Sequence, residues 1–212
     1  MHQVPTLTHG SFCLTESMAM MTYLCDVYGC SNKFIGATAA ERATTLKWMS
    51  WHQCTLRKSV LLDYFLPRVI TPYYHATPPP PLETLSSLRS KMVFHLDLIN
   101  NHLSTSKFLC GEGITLADMY IAVDLFALDS DPDKSEVLSK FSCVEGWLER
   151  LREESEGCKK SHAFWFRVAP IFCEVVKKVE KERKEKAEEG GEVKADLKWM
   201  VEYEDLALCL KT

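Results

Sequence analysis

Glu16 and Ser17 stand where the chain passes from a β-prone run into a helical one. The first turn of a helix leaves N–H groups without intrahelical partners, so a hydroxyl and a carboxylate placed there point to a site for an anionic ligand group. Upstream, Val4-Pro5 opens a short strand. A cis bond before Pro5 would keep the Val4 N–H and C=O out of sheet pairing and free for an extended peptide. Thr15-Glu16-Ser17 alone would be only a helix cap; the Val4-Pro5 strand ahead of it favours binding. Downstream, Arg57 carries a planar, permanent cation on a helical stretch that also holds Trp51. Its fork suits a carboxylate or an anionic leaving group, and equally an acidic side chain that would fix two helices.

A second group of polar residues has a structural reading. In Ile114-Thr115-Leu116-Ala117-Asp118-Met119, Thr115 is a helix N-cap and Asp118 its reciprocal partner, with Ile114 and Met119 spaced as a hydrophobic staple. This is a folding signal and not a catalytic site. The nine cysteines are odd in number and scattered, with no C-x-x-C. Cys25, Cys54 and Cys173 lie among apolar residues and are read as small hydrophobes, reduced thiols in a reducing compartment. The seven histidines form no cluster with metal spacing, and no metal is expected.

The elements that must position these residues follow from periodicity. Residues 4–8 and 11–14 are short strands around a His9-Gly10 turn. Met18, Met21, Leu24 and Val27 make a helical stripe that stops at Gly29. A helix runs from Ala39 to about Leu66 and is interrupted at Pro67. Pro72 and the run Pro78-Pro79-Pro80-Pro81 make an extended linker, with an SH3-type ligand as the other reading. Leu82, Leu85, Leu88, Met92, Leu96, Ile99 and Leu103 mark an amphipathic helix. Further helices are expected over 116–128, 144–154 and 162–179, the last despite Pro170. From Glu174 to Glu189 the chain is a dense mixture of Glu, Lys and Arg, a solvated helix or a partly disordered arm, and Trp199 belongs to a last amphipathic segment.

Composition bounds the function. At 212 residues, 46% hydrophobic and 25% charged, the chain is an ordinary globular protein with material for a sizeable core. A net charge of -4 gives no electrostatic case for nucleic acid or an anionic membrane surface. No apolar run reaches the roughly 18 residues that span a bilayer, and no secretory signal is expected.

Two motifs taken together resemble a known family. Val4-Pro5 followed by Glu16-Ser17 is similar to the second half of a thioredoxin-type glutathione-binding domain. Phe108-Leu109-Cys110-Gly111 followed by Ile114-Thr115-Leu116-Ala117-Asp118 resembles the buried sixth helix of glutathione transferases. The run Trp51-His52-Gln53-Cys54-Thr55-Leu56-Arg57-Lys58-Ser59 resembles the fourth helix of the theta class. The resemblance covers about residues 3–165. It implies a mostly α protein: a residual β-β-α part of a thioredoxin-like domain (1–30), an all-helical glutathione transferase C-terminal domain (38–170) and a charged C-terminal extension (171–212).

The resemblance also implies a chemistry and a site. Glutathione would be the co-substrate, its thiolate attacking a small electrophile in a detoxification reaction. Val4, Pro5, Glu16 and Ser17 would bind glutathione, Ser17 at its γ-glutamyl carboxylate and Glu16 near its ammonium. Arg57 and Trp51 would line the electrophile pocket, and the tail around Trp199 would cover its mouth. The family's thiol-activating Ser belongs to a strand and helix ahead of Val4, and neither Ser11 nor Ser17 matches it. No residue is therefore assigned to catalysis, and impaired turnover is expected. A cytoplasmic homodimer follows by the same analogy. The competing reading is a non-catalytic module, like the transferase-like domain of the translation elongation factor γ subunit.

Overall fold

The computed structural model describes residues 4–71 and 80–188. A hairpin comes first, β1 (Thr6–His9) and β2 (Phe12–Thr15), paired antiparallel from Thr6↔Thr15 to His9↔Phe12. The turn is therefore Gly10-Ser11, one residue later than the His9-Gly10 expected. Gly10 takes φ +60°, the conformation that glycine adopts most readily at the first central position of a two-residue hairpin turn. Helix α1 (Ser17–Val27) packs back on the hairpin through Tyr23. Its ring meets Phe12, and its hydroxyl lies 2.7 Å from His9 Nδ1.

After a short α2 (Ser31–Phe34), Gly36 takes φ +130°, and a Cβ there would fall 2.5 Å from the Glu41 side chain. Only glycine fits that corner. Helix α3 (Ala39–Trp51) then starts on a capping box. The Glu41 N–H donates to Thr38 Oγ1 at 3.2 Å, and the Glu41 carboxylate accepts from the Thr38 and Ala37 N–H groups.

The expected interruption at Pro67 does not occur. Helix α3 continues as π-helix over His52–Leu56 and Lys58–Ile70, with Pro67 inside it. Bonding to the fifth residue back widens the turn, which relieves the clash between a proline ring and the carbonyl four residues earlier. Tyr64, Phe65, Arg68 and Val69 are all buried, so packing on both sides of Pro67 favours continuity. Pro72, Pro78 and Pro79 lie outside the described residues, as does Trp199.

Helix α4 (Leu82–Leu103) buries Leu85, Met92, Leu96, Ile99 and Leu103, the inner positions of the expected stripe. Helix α5 (Leu116–Phe126) is the core element: Leu116, Ala117, Ile121, Ala122, Leu125 and Phe126 are buried. A helix that is apolar on most of its circumference must be enclosed. A 3-10 turn (Ala127–Ser130), α6 (Lys134–Leu138) and α7 (Ser142–Glu154) follow, and Trp147 of α7 is fully buried in the same core.

The last element is longer than its sequence suggested. Helix α8 runs over Glu156–Glu188, through Pro170 and into the charged stretch. Its apolar face (Val168, Phe172, Val176) packs with Phe65, Val69 and Ala127 in a second, smaller core. Buried Arg68 locks the join, reaching Asp131 at 3.1 Å, Asp133 at 3.1 Å and Glu180 of α8 at 2.8 Å. The described cysteines are free. Cys25 is buried and Cys173 half-buried, but Cys54 is exposed and not the small hydrophobe expected, because the inward side of its helical turn belongs to His52 and Leu56.

Candidate functional site

The hairpin register carries the first part of the site. Because Thr6 pairs with Thr15, the flanking Pro5 and Glu16 emerge at the same end of the sheet. The Val4-Pro5 bond is cis, and Val4 is exposed. Glu16 holds φ +68° and ψ 108° immediately before α1. That is a left-handed conformation a non-glycine residue rarely adopts, and such outliers gather at ligand-holding sites. It turns the chain abruptly, so Ser17 becomes the first residue of α1 beside the free N–H groups of the first turn.

Ser17 opens onto a cavity of about 520 Å³. Met21 of α1, Met119, Val123 and Phe126 of α5 and Leu151 of α7 supply apolar walls. His52 and Arg57 come from the π-helical stretch, Tyr120 from α5, and Cys158, Ser161 and His162 from the start of α8. The cavity thus combines apolar walls with polar groups drawn from α1, the π-helical stretch, α5 and α8. Its size and character suit a small, mainly apolar molecule.

Part of this polar lining is organised by a residue the sequence reading did not single out. Asp124, 2% exposed, accepts from Arg57 Nη1 at 2.9 and 3.2 Å and lies 2.7 Å from His52 Nε2. A carboxylate only accepts, so Nε2 of His52 carries the proton donated to Asp124; among the described residues the other ring nitrogen has no hydrogen-bond partner. Tyr120 stands edge-on to His52, with ring centroids 5.8 Å apart. Burial pushes its phenol above the ordinary value, opposed by the Ser17 hydroxyl and the Arg57 charge. The phenol is therefore protonated at neutral pH, and among the described residues its buried oxygen has no hydrogen-bond partner within bonding geometry.

The structure brings Ser17 and Arg57 into one cavity and leaves Trp51 out of its lining. The Trp51 ring meets Trp48 at 5.5 Å and His95 at 5.9 Å, on the side of the helix turned toward α4. His52 and Arg57, one and six residues on, face the cavity. Asp118 lies elsewhere. Its carboxylate accepts from the N–H and hydroxyl of Thr115, the N–H of Leu109 and the indole of Trp147, each at 2.9 Å. Two carboxyl-terminal features of the site, Cys158 and His162, carried no sequence signal beyond their residue types. Among the described residues, no group of three or more His, Cys, Asp or Glu side chains is placed to hold a metal ion. None of the helices described is long and apolar enough to cross a membrane.

Comparison with known proteins gives a consistent picture. Residues 83–150 match the family described as glutathione S-transferase, C-terminal domain. Human glutathione S-transferase theta-1 is 31% identical over 124 residues, which is 58% of this chain and 51% of that protein. The dichloromethane dehalogenase of Methylophilus leisingeri is 24% identical over 193 residues, 90% of this chain and 71% of that protein. The chain thus spans about half the length of the first of these relatives. The apo form of human glutathione-S-transferase T1-1 superposes with a TM-score of 0.69 at 24% identity, over 84% of this chain and 74% of that one. A Nilaparvata lugens delta-class glutathione transferase gives 0.66 at 25% identity, over 84% and 76%.

Proposed function

The chain belongs to the theta-like glutathione transferase family, and we propose that it binds glutathione where the hairpin meets α1 and takes an electrophile in the adjoining cavity. The observation that carries this reading is the strained Glu16 backbone, which sets Ser17 at the head of α1 and at the edge of the cavity. Ser17 and the first-turn N–H groups would hold the γ-glutamyl carboxylate, and Glu16 would face its ammonium. Val4, ahead of cis Pro5, would offer its backbone to the cysteinyl unit. The thiol would then face the cavity wall that carries Arg57 and Tyr120.

In the family reaction the glutathione sulfur attacks an electrophilic carbon, the C–S bond forming as the leaving group departs with its electron pair. Holding both reactants side by side supplies the orientation. The sulfur must also be held as thiolate. Ser17, committed to the γ-glutamyl carboxylate, is not assigned that task. A homodimer and a cytoplasmic location belong to the same reading by analogy with the family.

Retention on immobilised glutathione, with elution by free glutathione, tests the proposal. Ser17→Ala should weaken glutathione binding by about ten-fold, the loss of one charge-assisted hydrogen bond, and leave the thermal midpoint unchanged. Full retention of the Ser17→Ala variant would move the glutathione site away from α1, and no retention of the unaltered chain would overturn the assignment.

A further inference from the structure

Two of the free cysteines, Cys25 and Cys30, are brought together by the way α1 ends. The Gly29 N–H donates to the Asp26 carbonyl at 3.2 Å and the Cys30 N–H to the Cys25 carbonyl at 2.9 Å, with Gly29 at φ +66°. In a helix end closed by this pair of bonds the sixth residue folds back over the first, and their side chains meet. That contact is ordinarily apolar. Here it joins two thiols, which lie within hydrogen-bonding reach of each other. The backbone holds Cys30 from both sides, because its carbonyl also accepts from the Lys33 and Phe34 N–H groups at 3.0 and 3.1 Å as α2 begins. The two sulfurs therefore separate only if the corner between α1 and α2 unwinds.

We propose that Cys25 and Cys30 are a redox-active dithiol that exchanges with small disulfides such as glutathione disulfide, closing reversibly to an internal disulfide across the end of α1. The two thiols differ in access, which sets the order of events. Cys25 is 5% exposed and belongs to the main core, whereas Cys30 is half-buried at the edge of that core. Burial, then the Cys30 thiol and the Asp26 charge, push the Cys25 thiol up to about 11. Cys30 is thus the first to react. It loses its proton to solvent and attacks one sulfur of the small disulfide; that S–S bond breaks, and one thiolate leaves with the electron pair. The Cys25 sulfur, its proton also passing to solvent, then attacks the Cys30 sulfur and expels the second thiolate. Two cysteine thiols are oxidised and one small disulfide is reduced to two thiols. The link would tie α2 to the end of α1 opposite Ser17, and the exchange makes no use of Ser17 itself.

The test is incubation of the folded, unaltered chain with excess glutathione disulfide, followed by alkylation with iodoacetamide and peptide mapping by mass spectrometry. Cys25 should be found linked to Cys30 in the majority of molecules, and both should be alkylated again after return to excess glutathione. Bis(2-hydroxyethyl) disulfide, which has no γ-glutamyl group, should give the same link, so this inference and the glutathione site at Ser17 fail separately. Two variants read the order of attack. Cys25→Ala should accumulate one glutathione on Cys30, and Cys25 in Cys30→Ala should be modified about ten-fold more slowly than that, or slower still. The pairing itself is read on the unaltered chain, with circular dichroism before and after oxidation, and needs neither variant to fold. Separate alkylation of Cys25 and Cys30 under excess disulfide would overturn the proposal. So would linkage of either one to a different cysteine, or a link that excess glutathione leaves intact. Equal rates in the two variants would overturn the order of attack.

Discussion

Asp118 and Asp124 lie less than two turns apart on α5, both removed from solvent, and their surroundings differ in kind. Asp118 accepts four hydrogen bonds from uncharged donors: two backbone N–H groups, a hydroxyl and an indole. Those donors come from the loop before α5, from the α5 cap and from α7, so one carboxylate gathers three segments. Burial still outweighs them and pushes the Asp118 carboxyl above its ordinary value. Asp124 instead meets a guanidinium and an imidazole, both on the wall of the cavity. The comparison teaches that partner type separates a carboxylate that organises the fold from one that sets the electrostatics of a pocket. Burial alone does not.

The largest effect expected from breaking this pattern is at Asp118. Asp118→Ala removes the acceptor for four buried donors and should cost roughly 3–5 kcal/mol of stability in urea denaturation. Asp124→Asn should cost less, about 1–3 kcal/mol. Its amide keeps an acceptor, and Arg57, 37% exposed, can turn toward solvent. Equal losses in the two variants would erase the distinction drawn between the two carboxylates.

The two aspartates also differ in how far sequence reveals them. Thr115 and Asp118 are three residues apart before an apolar run, a local signature that identifies the cap without any fold. That Trp147 completes the site depends on α7 packing against α5, which no local pattern states. Arg57 stands out as a helical cation, yet its partner is 67 residues away and has no motif of its own. The resemblance puts Trp51 in the electrophile pocket with Arg57; its ring instead meets Trp48 and His95. Pro67 read as a break because proline rules describe α-helices, and the π-helical register changes the geometry they assume. The mostly helical architecture and its small β-β-α start were legible because hairpin turns, caps and apolar stripes are local. The polar lining of the cavity was not, because it assembles from α1, the π-helical stretch and α5.

A second cap sharpens the comparison at smaller scale. Thr38 and Glu41 repeat at the start of α3 the motif that Thr115 and Asp118 form at α5, but in an exposed setting. Its Thr-x-x-Glu spacing is as readable in the sequence as the other. Thr38→Ala should cost about 1 kcal/mol, the usual loss for an N-cap, with a shift in the urea midpoint and no change in the slope.

The smallest expected effect is the most discriminating, because the two capping carboxyls shift in opposite directions. The N–H groups of Thr38 and Ala37 hold Glu41 below its ordinary 4.5. Its contribution is therefore present above about pH 4.5 and lost as the pH falls through the lowered folded value. Burial holds Asp118 above its ordinary 3.8. Its contribution is fully present below that value and is lost as the pH rises through the raised folded one. Urea midpoints measured from about pH 6 down to about pH 3 should separate the two. Glu41→Gln should flatten part of the acid-side loss of stability, whereas Asp118→Asn should make that loss steeper by removing a group that gains on protonation. If both variants changed the profile in the same sense, burial would not be what divides the exposed cap from the enclosed one.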